Sequence, residues 1–380
     1  MFSHIVKQIR EIFGKNEGFI PLHEPKFVGN ERKYVLDAID STFVSSVGEY
    51  VNRFEQQIKD YTGAKYAVAC ANGTSALHIA LLLAGVKQND LVICQPLTFI
   101  ATCNALSYLG AEPVFVDIDK QTLGLSAEKL ADFLEKETEI KENQCFFKKT
   151  NQKISACVPM HTFGHPTEID KILEICKKYY INLIEDSAES LGSVYQGKQT
   201  GTFGLLGIYS LNGNKTITSG GGGVIVTDNE FLGKKAKHLT TQAKIPHAWE
   251  FAHDQIGYNY RMPNLNAAMA VAQMEKLDEF IENKRQLAEI YADFFEKTPF
   301  KFVTEPKNSR SIYWLNAILL KDRTERELFL EFMNKNGVMT RPSWQLMNEL
   351  KMFENCHKAN LENAIEIQNR LVNLPSSVRI

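Results

Sequence analysis

One lysine, Lys215, lies between two apolar runs in the stretch GIYSLNGNKTITSGGGGV (207–224). The first run, 207–211, leads into the turn residues Asn-Gly-Asn, and the second, 224–226, follows a run of glycines. These signals predict a strand, a tight connection and a second strand, with Lys215 at the rim of a sheet. A lysine amine held there could bond covalently to a carbonyl-bearing cofactor. Taken alone, Lys215 fits the commoner alternative of an exposed loop lysine.

A second candidate is the segment Asn72-Gly73-Thr74-Ser75, between an apolar run and a helical pattern that starts near Ala76. Backbone N–H groups at a helix start, with a glycine and hydroxyls beside them, can bind a phosphate group. The same residues would also make an ordinary helix N-cap. Neither this segment nor the glycine run at 220–223 matches a P-loop or a G-x-G-x-x-G motif.

Two further candidates follow other apolar runs. Asp186 ends the run NLIED, and a carboxylate there needs a cation or several donors. It could be the counter-ion of a protonated ring nitrogen, or the N-cap of a capping box with Glu189. Phe99 could supply a flat face for such a ring, or it could be an ordinary core phenylalanine.

The elements that must position these residues form an alternating series. From Lys65 to Asp186, apolar runs of strand length alternate with amphipathic helical patterns, which predicts a mainly parallel sheet covered on both faces. Ligands in such sheets lie beyond the carboxyl ends of the strands, where the candidates occur. The polar stretch 136–153 is predicted to be an exposed excursion such as a hairpin. A long helix is predicted over 264–297, and a smaller α/β unit over 300–380.

Composition limits the function classes. The chain has 380 residues, 44% hydrophobic and 23% charged, with a net charge of −2, which argues against a nucleic-acid partner. Its seven cysteines form no C-x-x-C pair, so we expect reduced thiols and a cytoplasmic protein. Residues 1–19 predict a short amphipathic helix packed on the body or on a partner subunit, and no membrane span is expected. His161 and His165 are separated by Gly164, so no metal site is predicted.

Together the candidates suit pyridoxal 5′-phosphate. This cofactor needs a lysine, a carboxylate at its pyridinium nitrogen, a phosphate cradle and usually an aromatic side chain on its ring. The chain supplies them at predicted strand ends in the order cradle, aromatic ring, carboxylate and lysine.

From about Ile20 onward, the chain resembles the DegT/DnrJ/StrS family of nucleotide-sugar aminotransferases. The matching segments are Gly73–Ala76, Thr98–Ala105, His161–Pro166, Glu185–Gly192, Ser210–Lys215 and Tyr258–Met262. Segments such as FVSSVGEYVNRFE and TRPSW are similar to one branch. That branch aminates the 4-keto group of a nucleotide-linked 6-deoxy-N-acetylglucosamine for surface glycans of the legionaminic acid or bacillosamine type.

The resemblance implies the fold-type-I aminotransferase architecture, with a seven-stranded, mainly parallel sheet in a large domain (20–262) and a small C-terminal domain (263–380). It also implies a homodimer with a shared active site. The roles it implies are the following: Lys215 as the covalent attachment point and proton carrier, Asp186 at the pyridinium nitrogen, Gly73, Thr74, Ser75 and Ser210 at the phosphate, Phe99 on the ring, and Asn259 at the phosphate from the partner chain.

Some positions are less defined by the resemblance. Glu189 stands beside the cofactor where many relatives carry glutamine or histidine and some carry an acid, so the resemblance does not define its role. Candidate contacts to the sugar nucleotide are Ser46, Trp249, His253 and Arg341, although Arg341 could equally form a helix-end or interface salt bridge.

The implied reaction is a ping-pong transamination with L-glutamate as donor and pyridoxamine phosphate as the second form of the cofactor. The nucleotide carrier is expected to be UDP or GDP. Two other interpretations remain. One is a different pyridoxal-phosphate enzyme of the same fold, such as a dehydratase or a lyase, and the other is a non-catalytic regulator on this scaffold.

Overall fold

The computed structural model describes residues 2–45 and 47–379, and its central feature is a large mixed sheet. The strands of this sheet are β1 (Tyr66–Cys70), β2 (Leu91–Cys94), β3 (Glu112–Phe115), β4 (Thr138–Lys141), β5 (Gln144–Phe147), β6 (Lys153–Val158), β7 (Asn182–Asp186), β10 (Leu206–Ser210) and β11 (Gly223–Thr227). Seven of them lie in the order β1-β11-β10-β7-β6-β2-β3, and only β11 runs against its neighbours. The predicted mainly parallel α/β sheet is confirmed.

Helices pack on this sheet, and most of its strands are therefore buried along their whole length. The helices of this part of the chain are α2 (Glu31–Asp40), α3 (Glu49–Thr62), α4 (Gly73–Leu83), α5 (Ile100–Tyr108), α6 (Ala127–Glu137), α7 (Ile169–Lys178) and α8 (Glu230–Thr240). The apolar helix α4 (GTSALHIALLL) is buried over most of its residues and packs on β10 and β11. That packing brings its N-terminus to the carboxyl ends of the strands.

The polar stretch after α6 forms the predicted hairpin. Strands β4 and β5 pair in antiparallel fashion, and β5 pairs with β6, so the hairpin extends one side of the central sheet. The left-handed residues Glu142 and Asn143 make its turn. The hairpin contributes no residue to the cavity described below.

The C-terminal part forms a second, smaller sheet with its own helices. Its strands are β14 (Lys301–Phe302), β16 (Asn316–Leu319), β17 (Arg341–Pro342) and β18 (Leu371–Leu374), in the order β14-β16-β18-β17, and its helices are α11 (Arg323–Lys335) and α12 (Glu362–Arg370). The short strands β8 (Val194–Tyr195), β9 (Lys198–Gln199) and β15 (Ser309–Arg310) pair with each other, as do β12 (Lys244–Ile245) and β13 (Ala252–His253).

Helix α1 (Ser3–Ile12) belongs to the core of this C-terminal part. Its side chains Ile5 and Ile9 are fully buried and pack in one cluster with Phe329 and Leu287. The amphipathic helix predicted at the N-terminus therefore packs on the body of its own chain. The domain boundaries at residues 19/20 and 262/263 remain predictions.

The single long helix predicted over 264–297 is wrong. The chain forms α9 (Asn264–Met274) and α10 (Leu277–Phe295), with a break at Glu275 and Lys276. No glycine or proline lies at this break, and the helical spacing of apolar residues continues across it. The sequence pattern therefore predicts one helix where the chain forms two. Within the described ranges, no helix is long and apolar enough to cross a membrane.

Candidate active site

The carboxyl ends of the central strands enclose a cavity of about 280 Å³. Residues predicted from four separate segments line it: Gly73 and Thr74 at the start of α4, Phe99 before α5, Asp186 at the end of β7 with Glu189 after it, and Ser210 at the end of β10 with Lys215 after it. The fold therefore brings Gly73 and Lys215, which lie 142 positions apart in the chain, into one cavity.

Lys215 lies in the connection between β10 and β11, as predicted. Its backbone N–H donates to the carbonyl of Asn212 at 2.9 Å, which closes the Asn-Gly-Asn turn. Its amine Nζ lies 3.3 Å from Oε1 of Glu189, and its side chain is 13% exposed. A constrained, half-enclosed amine of this kind can react with a small molecule in the cavity.

Asp186 is a buried carboxylate at the end of β7. The Thr102 hydroxyl donates to its Oδ2 at 2.8 Å, and the Ala188 N–H donates to its Oδ1 at 3.2 Å. Burial is the largest influence and raises the pKa of Asp186, while the Thr102 bond opposes the shift. In the part of the chain that the structure covers, no cation forms an ion pair with Asp186. The carboxylate therefore lacks the charged partner that its burial calls for.

Glu189 is buried beside Lys215, and its other oxygen accepts the Phe163 N–H at 2.9 Å. Burial raises the pKa of Glu189 to about 7, and the nearby Lys215 charge opposes the shift only in part. The capping-box alternative is wrong, because residues 187–193 form turns rather than a helix and the carboxylate does not reach back to Asp186.

The segment 72–75 forms the helix N-cap considered for it, and its geometry is compatible with the phosphate site that was also considered. Asn72 caps α4 through its side chain, which accepts the Ser75 N–H at 2.8 Å. Gly73 lies against Ser210, and a Cβ atom at position 73 would come within 3.0 Å of the Ser210 Cβ and 3.1 Å of its hydroxyl. This close approach leaves helix N–H groups beside a hydroxyl, which suits an anion such as phosphate.

Sequence reasoning did not select two tryptophans from the C-terminal part that line the cavity, Trp314 and Trp344. The Trp344 ring contacts Phe163 and Phe99, with ring centroids 5.2 Å and 6.5 Å apart. Phe99 is 49% exposed, which excludes the alternative of a core phenylalanine. The sequence offered two signals: the chain has just three tryptophans, and Trp344 ends the TRPSW segment. Thr102, also not selected, lies in the first turn of α5 and donates its hydroxyl to Asp186.

Other predicted site residues do not reach this cavity within one chain. Ser75 is buried, whereas Asn259, Trp249, His253 and Arg341 lie exposed elsewhere. The Arg341 guanidinium donates to the Asn334 side chain at 3.1 Å near the end of α11, which is a hydrogen bond to a neutral amide rather than the salt bridge considered for it. Ser46 lies outside the described residues.

The described residues fit pyridoxal phosphate. Asp186 is a buried carboxylate in need of a cation, the Gly73–Ser210 contact leaves an anion cradle, and Lys215 supplies an amine between them. Each group matches one part of the cofactor: a protonated ring nitrogen, a phosphate and a carbonyl carbon.

Comparisons with known proteins agree with this chemistry. Residues 25–380 match the DegT/DnrJ/EryC1/StrS aminotransferase family model. A GDP-perosamine synthase of Escherichia coli O157:H7 is 36% identical over 361 residues, covering 94% of this chain and 93% of the relative. The aminotransferase TlmJ from Streptoalloteichus hindustanus has a similar fold, with a TM-score of 0.85, 23% identity and 94% coverage of both chains. The PLP form of Spr1654 from Streptococcus pneumoniae also has a TM-score of 0.85, with 20% identity, 95% coverage of this chain and 94% of that one.

Proposed function

The chain belongs to the DegT/DnrJ/EryC1/StrS aminotransferase family, and we propose that it transfers an amino group from L-glutamate to the 4-keto group of a nucleotide-linked 6-deoxy sugar. It is a pyridoxal-phosphate-dependent sugar aminotransferase. The observation that carries the proposal is the placement of Lys215 and Asp186 in one cavity beside the N-terminus of α4.

When bound, pyridoxal phosphate supplies an electron sink that stabilises negative charge on the substrate carbon. Lys215 would hold the cofactor covalently and, once released, move a proton at the reacting carbon through its Nζ atom. Asp186 would favour the protonated ring nitrogen, since a buried carboxylate is stabilised by a cation. Gly73 and the Ser210 hydroxyl would bind the phosphate at the start of α4.

For the sugar, two lines of support point to different carriers. The sequence motifs resemble those of enzymes that act on N-acetylated sugars. For a substrate of that kind we propose that the carrier is UDP and that the product is used for a legionaminic acid or bacillosamine-type glycan. The similarity to a GDP-perosamine synthase supports a GDP carrier. A 4-keto-6-deoxyhexose linked to a nucleoside diphosphate is common to both proposals.

We also propose that the enzyme works as a homodimer with a site shared between subunits. The support is a group of exposed apolar side chains on α2 and the loop that follows: Leu36, Ile39, Phe43 and Val44, which are 58%, 48%, 58% and 41% exposed. Apolar side chains grouped in this way commonly mark association surfaces. Light scattering should report a dimer for the wild type, and L36E combined with I39E should shift the mass toward a monomer.

The proposed reaction can be tested in two halves. Adding L-glutamate to the cofactor-loaded enzyme should bleach the visible absorption band of the bound cofactor and release a keto acid. The UDP-linked and GDP-linked 4-keto sugars are then added separately, and mass spectrometry identifies a primary amine in the product. The matched variant K215A should give no turnover, and full activity in that variant would contradict the proposal.

The same assay separates the alternatives. A product that has lost a hydroxyl and gained no nitrogen would identify a dehydratase. A protein that binds no cofactor would favour the non-catalytic scaffold. Transamination of the UDP-linked sugar alone, or of the GDP-linked sugar alone, would identify the carrier.

A further inference from the structure

Two side chains from different parts of the fold contact the Lys215 amine. Glu189 Oε1 lies 3.3 Å from Nζ, and the centroid of the Trp314 ring lies 4.0 Å from Nζ. A cation this close to the face of an indole ring is attracted by the negative charge of the ring face. Trp314 is 5% exposed, so little water competes for the amine on this side.

The Trp314 ring is held in place by the lysine loop itself. Its Nε1–H donates to the carbonyl of Asn214 at 2.7 Å, and Asn214 is the residue directly before Lys215. One edge of the indole is therefore tied to the backbone that carries the lysine, while its face meets the lysine amine.

The backbone before Trp314 is docked on the turn at 162–164. The Ser311 hydroxyl donates to the Gly164 carbonyl at 2.9 Å. A Cβ atom on Gly164 would lie 3.2 Å from the backbone nitrogen of Trp314. The same turn donates the Phe163 N–H to Glu189 at 2.9 Å. A single turn therefore supports both partners of the Lys215 amine.

We propose that Trp314 is a positioning residue that holds the Lys215 ammonium on its ring face whenever the lysine is not bonded to the cofactor. This inference rests on the proposed transamination, in which Lys215 alternates between bonded and free forms. A ring face attracts the charge without accepting the proton, so the Nζ protons stay available to the reacting carbon. Trp314 neither gains nor loses a proton in this process.

Two substitutions separate this function from simple core packing. W314F keeps an aromatic face but loses the N–H donated to Asn214, whereas W314L loses the face. The attraction of a cation to a ring is worth about 0.5–2 kcal/mol, or about 2- to 30-fold in rate. We expect kcat of W314L to fall about 5- to 30-fold, with the KM values for glutamate and the sugar within about 2-fold, and W314F to stay within about 3-fold.

A second measurement does not depend on turnover. The full-length protein without cofactor is treated with formaldehyde and a borohydride, and mass spectrometry of the peptide containing Lys215 gives the rate of methylation. We expect W314L to be methylated several-fold faster than the wild type, and W314F to resemble the wild type. W344L is the matched control, because the contacts of Trp344 are with Phe163 and Phe99, and its methylation rate should match that of the wild type.

Each result has a defined meaning. Equal behaviour of W314F and W314L, or a rise in KM with unchanged kcat, would overturn the positioning function. Unchanged methylation in W314L would also overturn it. Circular dichroism confirms that each variant is folded. If the wild type itself does not transaminate, the proposed function fails, while the methylation rates still report whether Trp314 holds the amine.

Discussion

The pair Glu189–Lys215 allows a direct test of whether burial or ion pairing dominates in this cavity. The two side chains lie 3.3 Å apart, and a simple ion pair would lower the pKa of the glutamate. Burial instead raises the pKa of Glu189 from 4.5 to about 7. An increase of this size corresponds to about 3.4 kcal/mol, because each tenfold change in the acidity constant is worth about 1.4 kcal/mol.

The sign of the effect on stability follows from proton binding. Between pH 4.5 and about 7, Glu189 keeps its proton in the folded protein but loses it in the unfolded chain. Stability falls with rising pH wherever the folded state binds more protons. The contribution of Glu189 is therefore fully present below pH 4.5 and is lost as the pH rises through about 7. In E189Q this dependence should disappear.

The assay is urea unfolding of the cofactor-free protein, followed by tryptophan fluorescence and circular dichroism at one protein concentration and ionic strength. The free energy of unfolding of the wild type relative to E189Q should fall by about 3 kcal/mol across the window from pH 4.5 to about 7. E174Q, which changes an exposed glutamate on α7, is the control and should track the wild type. A relative stability that rises with pH would show that the ion pair dominates and would refute the reasoning.

Three further predictions concern other parts of the structure. D186N keeps the shape of the side chain but removes its charge, so kcat/KM should fall about 10²- to 10³-fold because the ring nitrogen loses its counter-ion. G73A would place a Cβ atom 3.0 Å from Ser210 and should weaken cofactor binding in a fluorescence titration, whereas G213A, which meets no atom within 4 Å, should bind as the wild type does. Lys284 is fully buried, and burial lowers its pKa from 10.5 to about 7. Between pH 7 and 10.5 the unfolded chain therefore binds more protons than the folded protein. In the same urea assay, the free energy of unfolding of the wild type relative to K284M should rise by up to about 5 kcal/mol over this range.

Much of the site could be predicted from local signals. The lysine between two strand patterns, the Asn-Gly-Thr-Ser segment before a helix and the carboxylate at the end of NLIED are each a short pattern with a physical meaning. Parallel strands present their carboxyl ends at one edge of a sheet, so the alternation of strands and helices was sufficient to predict that these segments meet. The cavity between β7, β10 and α4 agrees with that expectation.

The tertiary structure decided what no local pattern describes. Trp314 and Trp344 come from the C-terminal part, and their place in the cavity depends on how that part docks on the turn at 162–164. The break between α9 and α10 has no glycine or proline to signal it, so no local pattern predicts where α9 ends.

The sequence by itself determined the chemistry available to this protein, since a lysine, a carboxylate and a phosphate cradle are properties of side chains and local backbone. Only the tertiary structure decided the electrostatic state of that chemistry. Glu189 has an elevated pKa because the fold removes it from water, and Lys215 meets an indole face because a segment about 100 residues later packs against its loop. Burial and long-range contact are properties of the folded chain, and they set how these groups can act.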